Sequence, residues 1–190
     1  MASQENIIRN IEIMQNGEID IFLGAGASIG SGIPTGRDMV RLFKRKIYCT
    51  ENKVSEEKFK DVKLPSNQEL FQNYFDSQGE YPPLYDPTEY SFYFEKCYDN
   101  DLARQRFIEQ HVVRHNPSIG YLCLAEMIIQ GKIKNIWTTN FDSLPEKAIN
   151  ILKPQQEFLV CSSVNSDSIT NFNPNYPCIC KLHGDFRYGK

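Results

Sequence analysis

The sequence predicts an α/β fold, a mostly parallel sheet with helices on both faces. Three observations carry this. Short apolar or β-branched runs at 19–23, 134–139, 158–161 and 178–182 read as strands, and stretches of helical periodicity lie between them. Three of these runs end directly in a glycine-rich or polar loop, Gly24-Ala25-Gly26-Ala27-Ser28, Asn140-Phe141-Asp142 and His183-Gly184-Asp185. Strands alternating with helices pair in parallel, and such a sheet is buried on both sides, the Rossmann-like arrangement.

The elements follow in order. Ile7, Ile8, Ile11, Ile13 and Met14 give a helical spacing that Asn16-Gly17 ends, and Ile19 to Leu23 then forms a short buried strand. After the glycine loop, Thr35-Gly-Arg-Asp38 has the form of a capping box, and Met39, Val40, Leu42 and Phe43 continue its helix. Residues 50–64 are charged and poorly periodic, a solvated helix or loop. Between Pro65 and Asn100 the aromatics crowd together: Phe71, Tyr74, Phe75, Tyr81, Tyr85, Tyr90, Phe92, Tyr93, Phe94 and Tyr98. With Pro82-Pro83 and Pro87 they mark a helical, aromatic-rich insertion, placed at about 50–116. Residues 101–113 and 118–131 read as helices, the second capped by Ser118 and ended by Gly131, with His111 a core residue of the first and His115 at its end. Lys134 to Thr139 is a strand, Ser143-Leu-Pro145-Glu146 starts a helix, and Phe158–Cys161 and Cys178–Leu182 complete the sheet.

A chain of 190 residues, 41% of them hydrophobic, buries roughly 70% of its unfolded surface, enough for one sizeable core over 1–190. The net charge of -3 leaves no basic stripe to neutralise a phosphate polymer, so direct nucleic-acid binding is not expected. No run approaches the ~18 apolar residues of a membrane span, and the charged opening residues lack a secretion signal. The expected setting is the cytoplasm. Six cysteines without a CxxC pair suit reduced thiols, and Cys178 and Cys180, on one face of a strand, read as small core residues.

Gly24 and Gly26 permit positive φ and close backbone approach, which with a following helix start suits a phosphate or pyrophosphate. The spacing is G-x-G-x-x-x-G, and no acid follows about twenty residues on, so the dehydrogenase fingerprint does not apply. In an open parallel sheet the carboxyl ends of the strands line one crevice, and Asn140, Asp142 and His183 would meet the glycine loop there. Each has a simpler alternative: a turn and helix cap for Asn140 and Asp142, a strand-end turn for His183, a surface position for Arg37.

GAGAS followed by SGIP, then TTNFD, then LHGD, resembles the sirtuin superfamily, specifically the bacterial sirtuin-like NAD hydrolase domains at the front of antiphage defence proteins. The motifs keep the family's order over 20–185. TTNFD stands where sirtuins carry TQNID, and Gly32-Ile33-Pro34-Thr35-Gly36-Arg37 where they carry GIPDFR, a departure that weighs against protein deacylation. The resemblance implies further strands after the HG motif, hence a sheet incomplete at its C-terminus and a chain that fronts a longer protein. The family's zinc module lies downstream, so no metal is expected here.

The resemblance further implies NAD as substrate, cleaved to nicotinamide and ADP-ribose. Asn140 would bind the ribose hydroxyls and order water, Asp142 would accept from the carboxamide, and His183 would take up a proton. Gly24, Ala25, Gly26, Ala27 and the Ser28 hydroxyl would hold the pyrophosphate with help from Thr139 and Arg37, and Ile33 and Pro34 would wall the nicotinamide pocket. Because unrestrained NAD loss poisons a cell, gating by a homo-oligomer or an activating protein partner is expected. A module that senses NAD without cleaving it, and a protein deacylase, are the alternatives.

Overall fold

The computed structural model describes residues 3–14, 16–17, 19–162 and 175–184. In chain order the elements are α1 (Gln4–Ile13), β1 (Ile19–Leu23), α2 (Gly36–Glu51), α3 (Pro65–Gln78), α4 (Glu89–Cys97), α5 (Asp101–Val112), α6 (Ile119–Ile129), β2 (Ile133–Thr138), α7 (Leu144–Leu152), β3 (Leu159–Ser162) and β4 (Cys178–Lys181), with 3-10 turns at Ala25–Ser31 and Glu56–Phe59. They divide into two compact units, Met1–Ile33 with Ile108–Lys190, and Pro34–Phe107.

The first unit is built on a four-stranded sheet of order β1-β2-β4-β3, parallel throughout and not closed. This is the α/β class expected from the alternation of strands and helices. Register aligns Ile21, Ile136, Ile179 and Val160 in one row across the four strands, and Leu23, Thr138, Lys181 and Ser162 in the next row toward their carboxyl ends. The Ile136 side packs on α6 and α7 through Tyr121, Ala125, Ile128, Leu144, Ala148 and Ile149, all 3% exposed or less. Burying these apolar groups supplies the unit's main stabilisation.

On the opposite side, Phe22 and Trp137 remain 65% and 38% exposed, so within the described residues those positions lack the helical cover expected for both faces. Asp20 ties β1 to β2 on that side, accepting from Asn135 Nδ2 at 2.9 Å and Trp137 Nε1 at 3.2 Å. Further along the same side, Cys178 Sγ lies 3.4 Å from Cys161 Sγ and 3.5 Å from Cys180 Sγ, all as free thiols. Cys178 and Cys161 are buried, at 1% and 8% exposed, while Cys180 is half-buried at the edge of that packing.

The second unit is helical with an aromatic core. Thr35 and Asp38 form the capping box of α2, Pro65 occupies the first turn of α3, and Gly79, at φ 71°, ends it. Phe43, Phe71, Phe75 and Tyr93 are each 2% exposed or less, with Phe43 stacked on Phe94 at 5.2 Å and Phe75 edge-on to Tyr93 at the same separation. The unit begins at Pro34 rather than near residue 50 because α2 contributes Phe43 and Ile47 to this core. Residues 56–58 are exposed, as their charge suggested, while Phe59 is 7% exposed and stands edge-on to Tyr48 at 5.7 Å. A buried ion pair between Lys44 and Glu89 crosses from α2 to α4, and Gln72 Oε1 accepts from the same ammonium at 2.7 Å.

Candidate functional site

The row Leu23, Thr138, Lys181 and Ser162 marks the carboxyl edge of the sheet, and the loops leaving β1, β2 and β4 start there. Backbone bonds knit them together. Thr139 N–H donates to Leu23 O at 3.2 Å, and Leu182 N–H to Thr138 O at 2.8 Å. Thr138 Oγ1 donates to Leu23 O at 3.2 Å and accepts the Asn140 N–H at 3.0 Å, which turns the chain out of β2.

Side chains extend this into a buried polar cluster. Asn140 Nδ2 uses both hydrogens, donating to Gly24 O at 3.0 Å and to Ser28 Oγ at 3.1 Å. The Ser28 hydroxyl donates to Asp142 Oδ2 at 2.6 Å, so the Tyr121 hydroxyl, 3.0 Å away, must be the donor in that pair. One hydrogen and two lone pairs of Ser28 Oγ are then all committed. Asp142 Oδ1 accepts the Leu144 N–H at 3.1 Å, satisfying the first N–H of α7. Below it, Lys181 Nζ donates to Asp142 O at 2.7 Å and pairs with Glu146 Oε1 at 2.9 Å. Burial, then the nearby Asp142 carboxylate, pushes the Tyr121 hydroxyl up to about 12, so it stays protonated and donating.

Of the residues singled out from sequence, Gly24, Ser28, Thr139, Asn140 and Asp142 come together in this cluster. Asn140 is 9% exposed and Asp142 3% exposed, while the Oδ1 of Asn140 has no partner among the described residues. Ala25 and Gly26 are exposed and Ala27 half-buried in the 3-10 turn, whose Ala27 N–H closes on Gly24 O at 3.0 Å. His183 follows β4 at the same sheet edge and is exposed. Asp185 lies outside the described residues.

Three expectations change. Gly24 sits at φ -107°, and neither it nor Gly26 adopts positive φ; a Cβ on either would meet nothing within 4 Å. Positive φ falls instead on Gly32, at 85°, where a Cβ would come 3.1 Å from His115 Nδ1. That imidazole is fixed by Ser31 O at 2.9 Å. The Ser28 hydroxyl, 1% exposed, is fully engaged inside the protein rather than turned toward a phosphate. Ile33, 7% exposed, is part of the hydrophobic core rather than an open pocket wall. Arg37 is exposed, its guanidinium 4.7 Å from the centre of the Tyr85 ring.

Tyr121, Glu146 and Lys181 are the cluster members that the sequence reading missed. A signal for Lys181 existed: strand alternation puts it on the same side as Ile179, so a lysine there is buried and needs an anion. Nothing in the helical pattern of α6 separates Tyr121 from an ordinary core residue. Among the described residues no group of three histidine, cysteine or acidic side chains is placed to hold a metal, and no helix is long and apolar enough to cross a membrane. No family model matches the chain, and no curated protein matches it.

Proposed function

We propose that the carboxyl edge of this sheet is the catalytic edge of an NAD hydrolase that splits the nicotinamide–ribose bond. The observation that carries the reading is Asn140: both amide hydrogens are held by the β1 loop, which fixes the amide plane and leaves Oδ1 free to receive a ribose hydroxyl or a water. Beside it, Gly24 and Gly26 leave open space where side chains would stand, room for a pyrophosphate to approach the backbone.

The chemistry asks little of the protein. Nicotinamide leaves with the bonding electron pair as a neutral molecule, water oxygen bonds to the ribose carbon, and one proton is released. The products are nicotinamide and ADP-ribose. Asn140 positions the water, and exposed His183 is the group available to take up the proton. Asp142 acts through Ser28 rather than on the carboxamide, since it is 3% exposed and holds that hydroxyl at 2.6 Å.

A second reading, a module that binds NAD and leaves it intact, is favoured by the 3% exposure of Asp142. Incubating the protein with NAD and following nicotinamide by chromatography separates the two. Nicotinamide and ADP-ribose appearing in equal amounts support the hydrolase, whereas saturable binding with NAD recovered whole contradicts it and supports the second reading. Absence of both binding and turnover contradicts both.

A further inference from the structure

The helical unit contains a concave cavity of about 280 Å³ that the proposed chemistry does not use. Its walls come from α2, α3 and the segment before α4, with Val40, Phe71, Leu84 and Tyr85 supplying apolar surface. Among the described residues the Arg37 guanidinium makes no hydrogen bond or ion pair; it lies over the Tyr85 ring, at the cavity wall. Arg41, also lining the cavity, is neutralised by Asp38 at 3.0 Å, and Lys44 by Glu89. Glu69, on the α3 wall, likewise has no side-chain hydrogen bond or ion pair among the described residues, so the space is faced by one unpaired cation, Arg37, and one unpaired anion.

The wall is also built rather than incidental. Tyr85 holds a left-handed backbone, φ 69°, a conformation that a residue with a side chain adopts at a cost. Glu89 secures it, accepting the Tyr85 N–H on Oε2 at 3.1 Å while its other oxygen takes the buried Lys44. Strain of this kind concentrates where a side chain must be presented in one position, here a 67% exposed aromatic ring beneath a guanidinium.

We infer that this cavity binds a small aromatic carboxylate, its ring against Tyr85 and Leu84 and its carboxylate on Arg37. The volume lies at the lower end of ligand pockets, which suits a single ring with one anionic group and excludes a dinucleotide. A planar guanidinium takes a carboxylate through two parallel hydrogen bonds. The inference stands apart from the NAD reading, and its test involves no NAD.

The test titrates benzoate into the 190-residue chain, read by calorimetry and by backbone amide NMR, with benzamide as the neutral isostere. Saturable benzoate binding is expected, with shifts centred on Arg37, Tyr85 and Gln72 and benzamide at least about tenfold weaker, the scale of a lost charge-assisted contact. Arg37→Ala and Tyr85→Ala, both at exposed positions and checked for native amide spectra, are each expected to weaken benzoate at least about tenfold. If Arg37→Ala misfolds, Arg37→Gln gives the same comparison. Absence of saturable benzoate binding, equal affinity for benzamide, or an Arg37 variant that binds as the native chain does overturns the inference.

Discussion

The hydroxyl of Ser28 donates to the Asp142 carboxylate at 2.6 Å, joining the turn after β1 to the start of α7 across 114 positions of sequence. The same oxygen accepts from Asn140 and Tyr121, so one small side chain organises the sheet edge. Ser28→Ala removes it and leaves three buried partners short of a bond. A loss of about 1–3 kcal/mol is expected in urea unfolding, the cost of stranding buried polar groups. A midpoint unchanged from the native chain would contradict the network.

The glycines of the opening motif should behave oppositely. Gly32→Ala meets His115 Nδ1 at 3.1 Å in a backbone at φ 85° and is expected to cost about 1–3 kcal/mol of stability. Gly24→Ala has nothing within 4 Å and a permitted φ of -107°, so unfolding should be native-like. If the loop carries NAD, the same Gly24→Ala change weakens NAD binding in calorimetry. Stability and ligand affinity thus separate at two glycines eight residues apart.

Lys181 is 1% exposed, with Glu146 at 2.9 Å and Asp142 O at 2.7 Å. Lys181→Met removes the ammonium that holds the buried Glu146 carboxylate at 2.9 Å, a change worth about 3–5 kcal/mol. Joining it to Glu146→Leu should restore most of that loss, because two apolar groups replace two charges. A urea series on the single and double variants measures this, and additive losses would contradict a coupled pair.

The alkaline limb of stability has a defined sign. Tyr121 holds its proton to about 12 in the folded protein, against an ordinary 10.0, chiefly because burial penalises the phenolate. Between those values the folded state binds more protons than the unfolded one, so stability is complete below pH 10 and falls as pH rises toward 12. Burial raises Tyr90 and Tyr98 to about 12 as well, adding to the same slope. Urea midpoints measured across this window should fall more gently for Tyr121→Phe than for the native chain.

Much of the fold was legible because local signals and tertiary needs agreed. Ile19–Leu23 is a strand where its apolar run ends in glycine, and Thr35 and Asp38 form the capping box their spacing implies. Asn140 and Asp142 were legible as polar residues placed just after a strand. Their partners were not, since Ser28–Tyr121 and Asp142–Lys181 are contacts between distant segments that no local period encodes. Nor does periodicity say that β4 inserts between β2 and β3, or that α2 packs with the aromatic helices. The glycine loop misled for a related reason: glycine permits positive φ, but only the packing of His115 against Gly32 decides where it is used.

The most direct measurement is nicotinamide release from NAD by the native chain and by Asn140→Ala, each first shown by circular dichroism to be folded. The account predicts release by the native chain and a fall of about a hundredfold or more in the variant, with NAD still bound through the β1 loop. Release at the native rate by a folded Asn140→Ala chain would contradict it.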